Sequence, residues 1–159
     1  MQTSDPSVYA CGDVAEAYEL VGGGRRVFAI WPLARLGGRV AGENMAGGKV
    51  EYPGGVAMSA LRYFGVPIVS VGLDAQETTK EFEVFIKRAS GSYRKIVLRD
   101  NRVVGFTLVR GIEPAGLIYN LMRTQTNISG FKEKLLSPDF SFAHLPENAR
   151  KKTLMEAWA

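Results

Sequence analysis

The stretch Tyr93-Arg94-Lys95-Ile96-Val97-Leu98-Arg99-Asp100-Asn101-Arg102-Val103-Val104-Gly105-Phe106-Thr107-Leu108-Val109 decides the fold class. Two runs rich in β-branched and aromatic residues flank Asp100-Asn101, a pair suited to a two-residue hairpin loop, whose positions favour residues that tolerate positive φ. A hairpin here makes the sheet antiparallel. Just upstream, Glu81-Phe82-Glu83-Val84-Phe85-Ile86-Lys87-Arg88 alternates polar and apolar residues as a half-buried strand does, and Ser90-Gly91-Ser92 supplies the turn between them. Pro67-Ile68-Val69-Ser70-Val71-Gly72 reads as a further strand. Downstream, Pro114 suits a helix start beside Glu113, and Leu117, Ile118, Leu121 and Met122 then share the face that covers the sheet. The expectation is an α+β unit, an antiparallel sheet of about four or five strands covered by one or two helices.

The N-terminal third differs in character. Val8-Tyr9-Ala10-Cys11, ended by Gly12-Asp13, reads as a short buried strand that delivers a polar residue at its carboxyl end. Tyr18 to Val21 and Arg26 to Ala29, flanking Gly22-Gly23-Gly24, read as a hairpin. Pro32 belongs in the first turn of a helix with an apolar stripe of Leu33, Leu36, Val40 and Met45, stopped at Gly47-Gly48. Glycines inside that helix, at 37, 38 and 42, cost stability and imply close approach to a neighbour. The expected organisation is a glycine-rich piece over residues 1–48, a Pro/Gly linker over 49–66, the sheet unit over 67–136, and a peripheral tail over 137–159 in which only Thr153 to Trp158 is helical.

Composition narrows the function classes. The chain has 159 residues, 46% of them apolar, which suits one ordinary core or a small domain with an attached fragment of another. No apolar run approaches the roughly 18 residues of a spanning helix and the start has no signal-like pattern, so the expectation is a cytoplasmic protein without a membrane partner. A single cysteine, Cys11, rules out an internal disulfide and a Cys-x-x-Cys redox pair. The net charge of +4 is spread over short clusters such as Arg25-Arg26 and Arg150-Lys151-Lys152, which argues against a nucleic-acid surface.

Thr3-Ser4-Asp5-Pro6-Ser7-Val8-Tyr9-Ala10-Cys11-Gly12-Asp13 resembles the second FAD-binding signature of the pyridine nucleotide-disulfide oxidoreductase family: Thr, a spacer, then Val-Tyr-Ala, one variable residue, Gly and Asp. Independently of the resemblance, Gly12 lets backbone approach a ligand and the Asp13 carboxylate can accept hydrogen bonds from hydroxyl groups. The resemblance continues through Trp31-Pro32-Leu33-Ala34 and Gly38 to Gly47, through Phe64 to Gly72, and through Arg102 to Phe106 and Gly111 to Gly116. Its nearest likeness is the branch of NADH oxidases, rubredoxin reductases and the nitrite reductase large subunit.

By that resemblance, residues 1–48 are an incomplete, C-terminal remnant of an FAD-binding domain, with Gly12 and Asp13 on the ribityl chain and Pro32, Leu33 and Ala34 at a helix start facing the flavin. A helix start offers free N–H groups and a positive dipole end to a reduced flavin. The parent enzyme would use FAD and NAD(P)H, and Met1 would correspond to an internal position of it. The sheet unit would be its interface domain, joined to upstream FAD and NAD(P) domains and paired in a homodimer. No G-x-G-x-x-G strand–turn–helix unit is present in this sequence, so the fragment is expected to be inactive alone and not to retain FAD. Residues 1–48, without parallel neighbours, would leave apolar surface uncovered. The alternative is a free-standing protein-interaction module derived from the same domain.

Other residues have plainer readings. Cys11 ends an apolar run and reads as a small packed residue. His144, the single histidine, reads as structural or exposed, and Glu81 and Glu83 as the wet side of a strand. Asp74, Glu77 and Glu81 are too loosely spaced for a metal loop. No catalytic residue and no metal ligand is assigned.

Overall fold

The computed structural model describes residues 1–156, and the chain divides into two compact units, Met1–Ala57 and the remainder from Met58. The second unit is α+β. Its strands β3 (Met58–Tyr63), β4 (Val66–Gly72), β5 (Glu83–Ala89), β6 (Ser92–Arg99) and β7 (Arg102–Val109) form one antiparallel sheet in the order β3-β4-β7-β6-β5. Three two-residue loops set its register: Phe64-Gly65, Ser90-Gly91 and Asp100-Asn101 have positive φ at both positions, the geometry that matches strand twist in a hairpin. A bulge between Val97 and Leu98 adjusts the pairing of β6 with β7.

Alternation along these strands builds the core. Val69, Val71, Ile96, Leu98, Phe106 and Leu108 are all buried and share one face by register. Helix α2 (Ala115–Arg123) packs against β7 and buries Ile118, Leu121 and Met122 completely. Its N-cap is Pro114, without a side-chain cap. The opposite face is more open, with Leu61, Tyr63 and Ser70 exposed.

Two segments differ from the sequence-based expectation. The stretch 49–66 contains β3, and residues before it are stitched into the first unit: Gly55 N–H donates to Tyr18 O at 2.8 Å and Leu20 N–H to Gly55 O at 2.9 Å. The glycine there is demanded by crowding, since a Cβ on Gly55 would stand 2.8 Å from Leu33 Cδ1. The stretch 137–156 is packed, with Phe140, Leu145 and Ala149 buried. Phe140 and Leu145 stand in irregular chain beside the short 3₁₀ turns Lys132–Leu136 and Phe142–His144, where no helical period shows. Helix α3 spans Glu147–Glu156, earlier than the expected Thr153 start, and the expected end at Trp158 lies outside the described residues.

In the first unit, β1 (Glu16–Tyr18) pairs with β2 (Arg25–Val27). The hairpin sits earlier than the spacing suggested, because Glu19 folds into the turn. Its buried carboxylate accepts N–H groups from Val21 (3.2 Å) and Gly22, which draws residues 19–24 out of the ladder. Val8 to Cys11 is not a buried strand: Tyr9 makes one isolated bridge with Gln2, and Val8 is 47% exposed. A parallel strand needs neighbours on both sides, and the described residues supply only Gln2. Helix α1 (Trp31–Met45) starts as expected at Pro32, and Val40 is buried while Met45 is exposed. Gly37 permits the expected close approach: a Cβ there would lie 3.1 Å from Cys11 Cβ.

Candidate functional site

The candidate site lies wholly in the first unit. Thr3 closes the loop that opens the signature: its Oγ1 donates to Asp5 O and Val8 O at 3.1 Å each and accepts Asp5 N–H at 3.2 Å. Asp5 in turn accepts Ser7 Oγ–H at 2.6 Å and Ser7 N–H at 2.9 Å. These bonds, the side-chain one first, hold the Asp5 carboxyl below its ordinary pKa. The threonine and first aspartate therefore shape the loop.

Beyond Cys11 the chain turns sharply. Gly12 has φ +76°, a region that side chains rarely adopt, and starts a 3₁₀ turn over Gly12–Val14. Asp13 projects from that turn, exposed, and among the described residues its carboxylate has no hydrogen-bond partner. The turn faces the start of α1, since a Cβ on Gly12 would meet Ala34 Cβ at 3.5 Å. Gly12, Leu33 and Ala34 accordingly line one crevice, with Ala15 and Gly37 among its other walls. Asp13 and Pro32 stand outside it.

Donor geometry at the helix start is specific. Leu33 and Ala34 both send their N–H groups to Ile30 O, at 3.2 and 3.1 Å, and Pro32 has none. Trp31 is left as the first-turn residue whose N–H has no acceptor among the described residues, and no acid stands in that turn. Reading the sequence singled out Pro32 to Ala34 and passed over Trp31. The available signal was position: the first helical residue has no intrahelical acceptor for its N–H, and Pro32 in the first turn, with no N–H of its own, marks where the helix begins.

The crevice between Gly12 and Ala34 is small, about 10 Å³, room for about one water. A separate open groove of about 780 Å³ in the same unit is lined by Tyr9, Tyr18, Asn44 and Tyr52. A carboxylate that can accept from hydroxyls, a glycine that lets backbone come close, and a free N–H at a helix start suit one wall of a site for a hydroxylated, electron-rich ligand such as a flavin dinucleotide. They do not enclose one.

Known proteins share sequence and fold with this chain. Residues 58–126 match the rubredoxin NAD+ reductase C-terminal domain. The NAD(P)H sulfur oxidoreductase (CoA-dependent) of Pyrococcus furiosus is 40% identical over 81 residues, 51% of this chain and 18% of that protein. The chain thus spans about a fifth of the length of such curated relatives. The fold matches a NAD-dependent persulfide reductase from A. fulgidus, with a TM-score of 0.74 at 23% identity, covering 99% of this chain and 33% of that one. It also matches an FAD-dependent pyridine nucleotide-disulphide oxidoreductase from Desulfovibrio vulgaris, with a TM-score of 0.66 at 23% identity, covering 84% and 36%. The sequence match to a family thus lies in the sheet unit, residues 58–126 with the rubredoxin NAD+ reductase C-terminal domain, and the likeness to these solved structures is one of fold.

Proposed function

We propose that this chain supplies the C-terminal part of an FAD-dependent NAD(P)H oxidoreductase: one wall of the flavin site from its first unit and an assembly domain from its second. The observation that carries the reading is the approach of Gly12 to Ala34, which sets the turn that carries Asp13 against the first turn of α1, the turn in which Trp31 N–H is free. Asp13 would accept hydrogen bonds from the ribityl hydroxyls, Gly12 would let the backbone lie against the cofactor, and the helix start would favour negative charge on a reduced ring. FAD, when bound, would take hydride from NAD(P)H and pass electrons to an acceptor. The chain alone is inactive in this reading, because one wall does not hold a dinucleotide. Homodimer formation through the sheet unit finds support in its open face, where Leu61 and Tyr63 are 49% and 64% exposed and the hairpin tip Phe64 is 90% exposed.

The test is a visible absorbance spectrum. The isolated chain, incubated with excess FAD and freed of unbound ligand, is expected to stay colourless. A chimera in which this chain replaces the C-terminal segment of the Pyrococcus furiosus relative is expected to retain a flavin band, weakened by Asp13→Asn. Flavin retained by the isolated chain, or a chimera indifferent to Asp13→Asn, would overturn the proposal.

A further inference from the structure

Neighbouring residues of β6 carry the two buried cations of the sheet unit, and each points to a different face. Arg94 and Lys95 are 8% and 6% exposed. By register Arg94 shares its face with Leu108 and Ile96, whereas Lys95 lies opposite Thr107 on the other. Burying a cation is costly unless it is paired, so each needs a partner from a segment crossing its face.

Arg94 finds carbonyls. Its guanidinium donates to Leu135 O at 3.0 Å, to Ser137 O, and to Gly111 O at 3.4 Å. Backbone hydrogen bonds of the segment it grips, residues 129–145, run to near neighbours along the chain, as from Phe131 to Ile128, Lys134 to Phe131 and Ser137 to Lys134. Its other ties are the buried side chains of Leu135, Phe140 and Leu145 and the ion pair of Lys132 with Glu83 at 2.7 Å. Lys95 finds a carboxylate, Asp74, on the crossover between β4 and β5. No side chain from 74 to 81 is buried. Apart from Leu73 N–H on Val104 O at 2.9 Å, Thr78 bonded to Val84 at 3.0 Å and the Arg99–Glu81 pair at 3.4 Å, that ion pair holds the crossover down.

We infer that β6 is a two-sided clasp: Arg94 buckles the strap 129–145 over one face, Lys95 buckles the crossover 74–82 over the other, and each segment opens without unfolding the sheet. Local opening of this kind falls most readily to segments with few buried apolar contacts and polar attachments, as on the crossover; the strap opens as a unit that keeps its own short-range backbone hydrogen bonds. The crossover, held by ions, is the looser of the two and opens further in salt. The strap, seated on three buried apolar side chains and two of the carbonyls that Arg94 reaches, with one ion pair at Lys132, responds less to salt.

Native-state hydrogen exchange on the full chain tests this. In the unaltered protein, amides of 74–82 and of 129–145 should exchange as two separate groups, both ahead of β6 and β7. Asp74→Asn should accelerate the crossover alone, and Arg94→Lys, which cannot reach three carbonyls at once, should accelerate the strap alone, each by about tenfold or more. Exchange of either segment only together with β6 and β7 in the unaltered protein would overturn the inference, whatever the variants do. So would either substitution accelerating both segments alike.

Discussion

The two units solve the same problem with different success. In the sheet unit, β7 lies between β4 and β6, and its Val103, Val104, Phe106 and Leu108 are no more than 2% exposed. In the first unit, Val14, Trp31 and Met45 are 84%, 76% and 69% exposed, and its buried apolar set is confined to Val21, Phe28, Val40, Ala41 and Val56. The sheet unit covers one face with its own layers and leaves Leu61, Tyr63 and Phe64 open elsewhere, whereas the first unit buries few apolar residues of any kind. The difference teaches that the first unit is shaped for contacts beyond itself, as the wall of a flavin site would be, while the second is shaped to stand as a domain.

The hardest blow to that contrast is Gly105→Ala. The chain leaving β4 crosses so near that a Cβ on Gly105 would lie 1.8 Å from Leu73 O, and both groups are backbone. The expected cost is about 4 kcal/mol or more, seen as loss of the cooperative sheet transition by circular dichroism. A sheet that survives would mean that its core is less self-contained than its burial implies.

A middling effect should come from Phe64→Asn. Phe64 sits at φ +45° in the β3–β4 turn and is 90% exposed. Asparagine tolerates that conformation, so the variant should gain roughly 1 kcal/mol in thermal or urea unfolding. If it is instead less stable, the ring contact with Tyr63 at 4.6 Å is worth more than the backbone strain. The same variant should weaken any homodimer in sedimentation, since the exposed apolar tip is removed.

The smallest effect is local to the first unit. Hydrogen bonds from Ser7 hold the exposed Asp5 carboxyl below its ordinary pKa. A carboxyl lowered on folding adds stability above its unfolded value and loses it as pH falls through the folded one. Ser7→Ala should therefore bring the Asp5 titration, followed by NMR, back up toward the ordinary value, leaving the sheet unit untouched. An unchanged Asp5 titration would refute the assigned cause.

Much of the sheet unit is legible in the residues. Alternation in β5, the Asp100-Asn101 turn, and the apolar face of α2 are local patterns that the fold keeps. The pairing of Phe64 with Gly65 was hidden because a phenylalanine does not announce a positive φ, and the burial of Phe140 and Leu145 because irregular chain between short turns carries no period. For the candidate site, Gly12 and Asp13 stand out in sequence; the role of Trp31 emerges from the hydrogen bonds of its neighbours.

What the sequence determined by itself is what short-range chemistry determines: the antiparallel sheet, the helix start at Pro32, and the signature ending in Gly12-Asp13. Tertiary structure decided which donor stays free, which glycines are crowded, and where Arg94 and Lys95 find their partners. Those outcomes depend on residues far apart in the chain, 41 positions for Arg94 and Leu135, and no local periodicity encodes a contact made across a sheet.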